Sequence, residues 1–376
     1  VSNTITYVTP KLLASGLLAL REQAIMPRLV NKSYGELAQE KGNVINIPVP
    51  SAIAARAVTA SVVHNSNVAS APTNIAVTLD QWYEAPFEMT DNDLLSTIGG
   101  FVPMQASEAV KGLINVIDKH ILGKHTGIYS FTGTHGTTPF ASGVTSVGAA
   151  RTLLNAQLCP ADGRVGVLDP DAEGALLGTS NVLQFDQRGD TAGIINGSIG
   201  RKFAIDWYMD QNISSFTPGT AWVTNWTFGG LGAVGDVTIS ALCTTSGTVL
   251  VGDIFTYSSQ QYAITTAATA VTATALSLTI YPPAKIAFVS GDDFTCVDAT
   301  AYVPNLVFHP LAFCFASRPL ASSIGFGNQI ASVSDPISGV ALRLELSRQY
   351  KLTTYSYDAL WGAGMVRKEF ATKIVG

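Results

Sequence analysis

Several groups of residues in this chain could do chemistry. Asp162, Asp169, Asp171 and Glu173 bring carboxylates close together in the sequence. A hard cation takes oxygen ligands of this kind. The same run, LDPDAE, also reads as a helix start, where carboxylates in the first turn are favourable by ~0.3–1 kcal/mol, and we take it as one. His120, His125 and His135 could ligate zinc. A loop without pattern separates them, and no helical register puts the first two on one face, so they read as solvent or core histidines. Gly230, Gly232 and Gly235 in GGLGAVGD have GxGxxG spacing. A dinucleotide fingerprint needs a strand before and a helix after. The residues that follow, VTISALC, are strand-like, which makes this a glycine-rich turn. Asp91 and Asp93 in TDNDLL read as another helix start. Trp207, Tyr208, Trp222 and Trp226 could line a glycan site, but such aromatics more often fill a core. The chain has no GxSxG, HExxH or Walker sequence. Catalytic triads need not be contiguous, but nothing positive marks an enzyme, a cofactor or a metal centre, and we expect none of them.

The element that must organise these residues is FVPMQASEAVKGLINVIDKHILG, from Phe101 to Gly123. Val102, Ala106, Ala109, Val110, Leu113, Ile114, Ile117, Ile121 and Leu122 follow the i, i+3, i+4, i+7 spacing of one helix face. Gln105, Glu108, Lys111, Asn115, Asp118 and Lys119 fill the other. Pro103 suits a first turn and Gly123 a stop, with Lys119, His120 and Lys124 near the carbonyl end. The spacing predicts a rod of ~30 Å, a spine with other pieces laid against it.

Composition bounds what those pieces do. The net charge of −5 gives no basic footprint for nucleic acid. Only 13% of residues are charged and 47% are hydrophobic, and the mean hydropathy is positive. The longest apolar runs, such as LLASGLLAL and LVFHPLAFCFA, are too short or too interrupted to cross a bilayer, so no membrane partner is expected. Extensive contact between copies would account for a surface this apolar. Cys159, Cys243, Cys296 and Cys314 lie far apart with no CxxC pair, arguing against a zinc knuckle or a disulfide scaffold. VSNTITYVTP lacks a basic stretch and an apolar stretch, so no signal peptide is expected and the chain should be made and kept in the cytosol.

Along the chain, Thr9 and Pro10 open a helix, PKLLASGLLALREQAI, with Leu13, Leu17, Leu20 and Ala24 on one stripe and Pro27 ending it. GNVINIPVPSAIAARAV then reads as an edge or ribbon strand because of Pro48 and Pro50. Asn74 to Met89 returns as its partner, making a long two-stranded arm. A lone ribbon is marginal in water, so the arm must lie against something, another copy being the candidate. ASGVTSVGAARTLLNAQL predicts a capped helix, followed by a buried strand, a turn and a short helix in an α+β rhythm. From about Trp222 to Thr300 the composition turns to Gly, Thr, Ala, Val and Ser. Seven or eight strand-like runs follow one another there (VTISALC, TVLV, DIFTYS, QYAITTA, LSLTIY, KIAFVS, FTCVDA), an all-β module set into the body. The closing stretch alternates, with Arg343, Glu345, Arg348 and Lys351 outward.

This order of pieces resembles the major capsid (coat) proteins of tailed bacteriophages, of the Hong Kong 97-type fold, and most of all the coat proteins of short-tailed phages that carry an insertion domain. The resemblance is carried by TPKLLASGLLALREQAIMPRLVNKSYGELAQEKGNVINIPVP, by VTLDQWYEAPFEMTDNDLL and by VPNLVFHPLAFCFASRPL, with Lys41, Gly42, Asn43 and Val44 leading into the arm. GRKFAIDWYMDQNI departs from the Gly-Phe-rich version of that segment, and the insertion is short. The resemblance implies an α+β fold divided into a 1–34 N-terminal arm and helix, a 35–93 extended β-hairpin loop, and a peripheral domain of 94–135 and 332–376 holding the spine helix. An axial domain of 136–221 and 301–331 and an all-β insertion of 222–300 complete it. It implies a non-enzymatic shell subunit that self-assembles through hexamers and pentamers into an icosahedral head around DNA, without reading its sequence. Partners would be further copies, a scaffolding protein, a portal at one vertex and a decoration (cement) protein. The location would be the virion, after assembly in the host bacterial cytoplasm. Arg56, Trp82 and Tyr83 are expected at subunit contacts. The alternative is a β-rich receptor- or glycan-binding virion protein.

Two further expectations follow from the residues. Between Lys41 and Lys111 there is no lysine, so the arm has no amine for the isopeptide lock that some shells of this fold use, and Arg56 is its sole Lys or Arg. The β module must have its ends close together if the body is to run unbroken from Phe216 to Tyr302. It should fold alone, and replacing it with a linker should leave a soluble body that assembles poorly or to the wrong size.

Overall fold

The computed structural model describes residues 12–14, 16–17, 20, 24–33, 43–50, 53, 55, 57, 72–96, 101–141, 143–183, 197, 199–222, 226–297, 300–320 and 328–376. The chain divides into two compact units. The first comprises Val1–Gln23, Asn31–Leu113 and Cys314–Val366, and the second Ala24–Val30, Ile114–Phe313 and Arg367–Gly376. The spine helix runs from Phe101 to Gly123, as its periodicity predicts, and the division falls within it.

The first unit is built on a five-stranded sheet. Its central strand Leu352–Met365 pairs antiparallel with Ala341–Gln349 and with Gln81–Thr90, and Gln329–Ser334 pairs beyond Ala341–Gln349. Period-2 alternation decides the faces. Thr353, Tyr355, Tyr357, Ala359 and Trp361 are all buried on one side. That side meets the N-terminal segment, where the Tyr357 hydroxyl donates to the Leu12 carbonyl at 2.9 Å. A Cβ on Gly16 would stand 3.1 Å from Val110 and 3.2 Å from the Tyr357 ring, so the backbone there has to approach closely. Leu12, Leu13, Leu20, Ala106, Val110 and Leu113 are buried in this unit.

The ribbon expected in the arm is present at its base, where Val44–Val49 pairs with Thr73–Thr78 and Pro48 faces Asn74. The return strand differs from the expectation. It breaks at Leu79, whose N–H donates to the Asn43 carbonyl at 2.7 Å and whose side chain is buried. After the break, Gln81–Thr90 belongs to the sheet and not to a free arm, because ten cross-strand partners on Leu352–Trp361 satisfy it. Thr90 and Asp93 then form reciprocal caps: Asp93 N donates to Thr90 Oγ1 at 3.2 Å, and Thr90 N to Asp93 Oδ2 at 3.2 Å. Helix Asp91–Ser96 starts there as read, and Arg348 grips Asp91 through two bonds of 2.9 and 2.8 Å. Arg343 lies on the outward face as expected, half-covered there by an ion-pair partner. Its guanidinium is tied to Asp358 at 3.0 and 2.5 Å on the sheet face.

The second unit holds a six-stranded mixed sheet in the order Phe131–Gly133, Ala371–Val375, Pro304–Phe308, Arg164–Leu168, Ile205–Met209, Arg201–Lys202. Helix Thr145–Ala156 begins at Val144 with no side-chain cap, where a cap was expected. Helix Pro170–Leu177 begins at Asp169, whose carboxylate accepts the Asp171 N–H at 3.3 Å, the helix start read from LDPDAE. Val147, Leu154, Leu168, Leu176, Trp207 and Ile374 are among the residues of the core between helices and sheet. Pro27 does not end a helix as read. It sits in the first turn of a separate short helix, Met26–Leu29, where its missing N–H costs nothing.

Between Trp222 and Thr300 lie eight short strands among the described residues. Six of them close a barrel: Ile254–Tyr257, Gln260–Ile264, Ala275–Tyr281, Thr238–Leu242, Trp226–Phe228 and Asp293–Cys296. Its interior is aromatic, with Trp222, Trp226, Phe228, Phe255, Tyr262 and Phe294 buried together. The run KIAFVS is not a strand. It follows Pro282 and Pro283, which have no N–H to offer a ladder, and is fixed by one bridge, Gly232 to Phe288. The chain enters and leaves the barrel side by side, through mutual Phe216–Tyr302 bonds of 2.8 and 3.0 Å.

The barrel meets the rest of this unit along a defined seam. Gln261 exchanges two bonds of 3.0 Å with the Phe131 backbone, and Tyr281 bonds to Glu369. Lys373 is fully buried under it, donating to the Tyr302 hydroxyl at 3.2 Å. Burial pulls its pKa down to about 7, opposed by the nearby Asp253 carboxylate. Burial also pushes Asp253 up to about 6, although the Leu250 N–H at 2.7 Å and the Gly219 N–H at 3.1 Å hold its carboxylate. All four cysteines are free and buried.

Helix faces carry the first prediction. Ile117 is fully buried, while Asn115, two residues earlier and so on the other side of the helix, is exposed. Ile117→Ala should cost about 2–5 kcal/mol through transfer and cavity terms, and Asn115→Ala about 0.5 kcal/mol or less. Urea melts of the two variants check this, and equal losses would mean the face is misassigned.

Candidate assembly surface

Of the residues expected at subunit contacts, Arg56 lies outside the described residues. Trp82 and Tyr83 are adjacent on Gln81–Thr90 and therefore point to opposite faces of the sheet. Tyr83 stacks on the buried Trp361 with ring centroids 5.5 Å apart, and Phe87 stacks on Tyr355 at 4.9 Å. These contacts fix the strand on that face, where Tyr83 itself stays 45% exposed. Trp82 instead stands 64% exposed on the outer face, its Nε1 reaching Asp358 Oδ2 at 3.4 Å.

Pro86 and the charged Glu84 and Glu88 occupy the same outward register, and this combination blunts the edge of a sheet against indiscriminate pairing. Among the described residues no other strand pairs with the outer side of Gln81–Thr90. Trp82, Glu84, Pro86, Arg343, Glu345 and Ser356 are among the walls of a shallow open groove of about 400 Å3. It holds three carboxylates (Glu84, Glu345, Asp358) against the single guanidinium of Arg343, which Asp358 already engages. Such a face suits a partner surface that offers apolar contact to an indole and positive charge to the carboxylates.

The other residues singled out in the sequence are placed elsewhere. Asp169, Asp171 and Glu173 lie at the start of helix Pro170–Leu177, while Asp162 lies before strand Arg164–Leu168, at its opposite end. Among the described residues no group of three or more His, Cys, Asp or Glu side chains is placed to hold a metal ion. His125 is buried edge-on to Phe216, and burial together with Lys373 pushes its pKa down to about 3. His135 packs on the Tyr302 ring at 4.3 Å, and His120 is half-buried on the spine helix. Gly230, Gly232 and Gly235 lie in a loop that leads into strand Thr238–Leu242, not into a helix. Trp222 and Trp226 are barrel core and Trp207 is 8% exposed in the body core, so these indoles cannot line an open glycan site. Tyr208 is exposed alone of that set. No helix among the described residues is long and apolar enough to cross a membrane.

Sequence reasoning missed the groove. Its walls come from strands far apart in the chain, and only their register brings Glu84 opposite Asp358 and Pro86 opposite Ser356.

Comparison with solved structures decides the fold. A structure from Mycobacterium phage Che8 superposes with a TM-score of 0.55 at 16% identity, covering 94% of this chain and 91% of that one. The capsid of Ralstonia phage GP4 matches with a TM-score of 0.52 at 9% identity, again over 94% and 91%. The capsid of cyanophage P-SCSP1u gives 0.50 at 11% identity, over 89% and 83%. The fold is that of a phage capsid protein. No protein-family model and no curated protein matches the chain.

Proposed function

We propose that this chain is the major capsid protein of a tailed phage, of the Hong Kong 97 type. It assembles through hexamers and pentamers into an icosahedral shell that encloses DNA, and it catalyses no reaction. The observation that carries the reading is the capsid fold joined to an outward Trp82 on an edge strand, in a chain with only 13% charged residues. Burying an indole's surface against a neighbour is worth about 25 cal/mol per Å2, repeated at every copy of a symmetric shell. In this reading residues 35–93 form the extended β-hairpin arm and its base, and Arg56 seeks a carboxylate on the next subunit. The spine helix lies in a peripheral domain, and the barrel is an insertion between two stretches of an axial domain. A scaffolding protein, a portal and a decoration protein are the partners such a shell uses, and the virion is where the chain resides.

Negative-stain imaging and sedimentation of the purified chain test this directly. Shells, capsomers or rings are expected, and a compact monomer or trimer would overturn the proposal. Trp82→Ser should reduce the assembled fraction at least tenfold, the effect of losing about 1.4 kcal/mol per contact, while the melting of the unassembled chain stays unchanged. A heated denaturing gel of the assembled material should show one band near 39.5 kDa, since no lysine lies between Lys41 and Lys111. A ladder of covalent multimers would defeat that part.

A further inference from the structure

Asp118 lies on the spine helix among residues read from the sequence as its polar face, yet it is fully buried. The periodicity is not at fault, because a second segment covers that side. Asp118 Oδ1 accepts the Met26 N–H at 3.2 Å, which fastens the Ala24–Val30 segment to the helix within the second unit. Its other oxygen, Oδ2, is buried and no protein group donates to it.

The turn after strand Ile205–Met209 packs on the same helix. Asn212 Nδ2 donates to Asn115 Oδ1 at 3.3 Å, and Asn115 stands one helical turn before Asp118. Asp210 begins this turn and is 1% exposed. Its Oδ1 accepts the Asn212 N–H at 2.8 Å, and its Oδ2 is likewise buried without a protein donor. Burial makes ionisation of either carboxyl costly, and Asp210 acts on Asp118 as a like charge that makes ionising both costlier still. An unsatisfied buried oxygen on each would cost a full desolvation penalty. A hydrogen held between the two would satisfy both.

We propose that Asp118 and Asp210 share a single proton, and that this carboxyl–carboxylate pair is a pH-sensitive latch clamping Ala24–Val30 to the spine helix. The groups facing the pair are the Ile25 and Met26 amides from the segment, the Asn212 amide from the turn and Asn115 on the helix itself. The charged group acting on Asp118 is Asp210. Burial, then Asp210, pushes the Asp118 carboxyl up to about 8, and burial raises Asp210. A carboxyl raised in the folded state binds its proton more tightly there than in the unfolded chain. Its contribution to stability is therefore complete below the ordinary carboxylate range and is lost as pH rises towards about 8.

The test uses the purified full-length chain, measured by melting temperature and by amide exchange at Ile25 and Met26, corrected for the intrinsic pH dependence of exchange. In the wild type, melting should fall between pH 5 and about 8, and protection of these two amides should drop over the same range. Asp118→Asn puts a fixed amide N–H where the shared proton lay, and Asp210→Asn does so from the other side. Either variant should lose that part of the pH slope and keep its protection through pH 8 and above. If one variant fails to fold, the other suffices. Carboxyl carbon NMR of the wild type should show one group titrating well above the ordinary range. Unchanged slopes in both variants, or both carboxyls titrating in the ordinary range, would overturn the latch. A melting temperature raised by calcium and indifferent to pH would also overturn it, assigning the pair to a cation.

Discussion

Replacing Trp226 with alanine should unfold the barrel while the cooperative melting of the first unit survives. The side chain is fully buried, with its ring centroid 5.1 Å from Trp222 and 6.2 Å from Phe294. Its Nε1 donates to the Ala221 carbonyl at 3.1 Å, so truncation removes both a wall of the core and a buried donor. Loss of a buried Trp costs about 3–5 kcal/mol. A module of this size has only a few kcal/mol of its own to lose. Calorimetry should therefore show one transition diminished or absent, with the other in place. Phe288 and Phe294 amides on the barrel should lose exchange protection in step. A variant that melts like the wild type would mean that the body, not the aromatic core, holds the barrel shut.

The second large effect concerns removing residues 217–301 in favour of a short Gly-Ser linker. Phe216 and Tyr302 are already bonded to each other, so a linker needs to span almost nothing. The excised piece carries its own aromatic core and closed ladder and should give a β circular-dichroism spectrum with protected amides. A random-coil spectrum would show that it has no independent fold. The body left behind keeps the core of Val147, Leu154, Leu168 and Ile374. It loses the Ile254 and Ala263 cover over Tyr129, and Asp253 no longer faces Lys373. Such a body should remain folded at reduced stability, with new apolar surface, and should assemble poorly or to the wrong size. Assembly at wild-type size and yield would remove any role for the module in shell building.

How much of this was legible depends on how local each signal is. The spine helix was readable because nine apolar residues repeat along one segment, and its ends fall at Phe101 and Gly123. The burial of Asp118 was not, since it depends on a turn near Asp210 that reaches the helix only through tertiary packing. The barrel announced itself through Thr, Val and Ala with turns. KIAFVS misled because its apolar pattern anchors a loop, with Phe288 its one buried side chain. Trp82 and Tyr83 were marked by residue type. That one faces a groove while the other stacks inward on Trp361 depends on pairing with a strand far along the chain.

The four buried thiols have a practical consequence. Only a thiolate attacks an alkylating reagent, and burial raises the pKa of Cys159, Cys296 and Cys314, the last to about 12. With all four thiols buried, the native chain should react only slowly with maleimides. One cysteine placed at an outlying position such as Tyr350, which is 86% exposed, would be its one fast-reacting handle. A dye, metal cluster or peptide attached there would be displayed once per copy, so label counting would report the number of subunits in a particle.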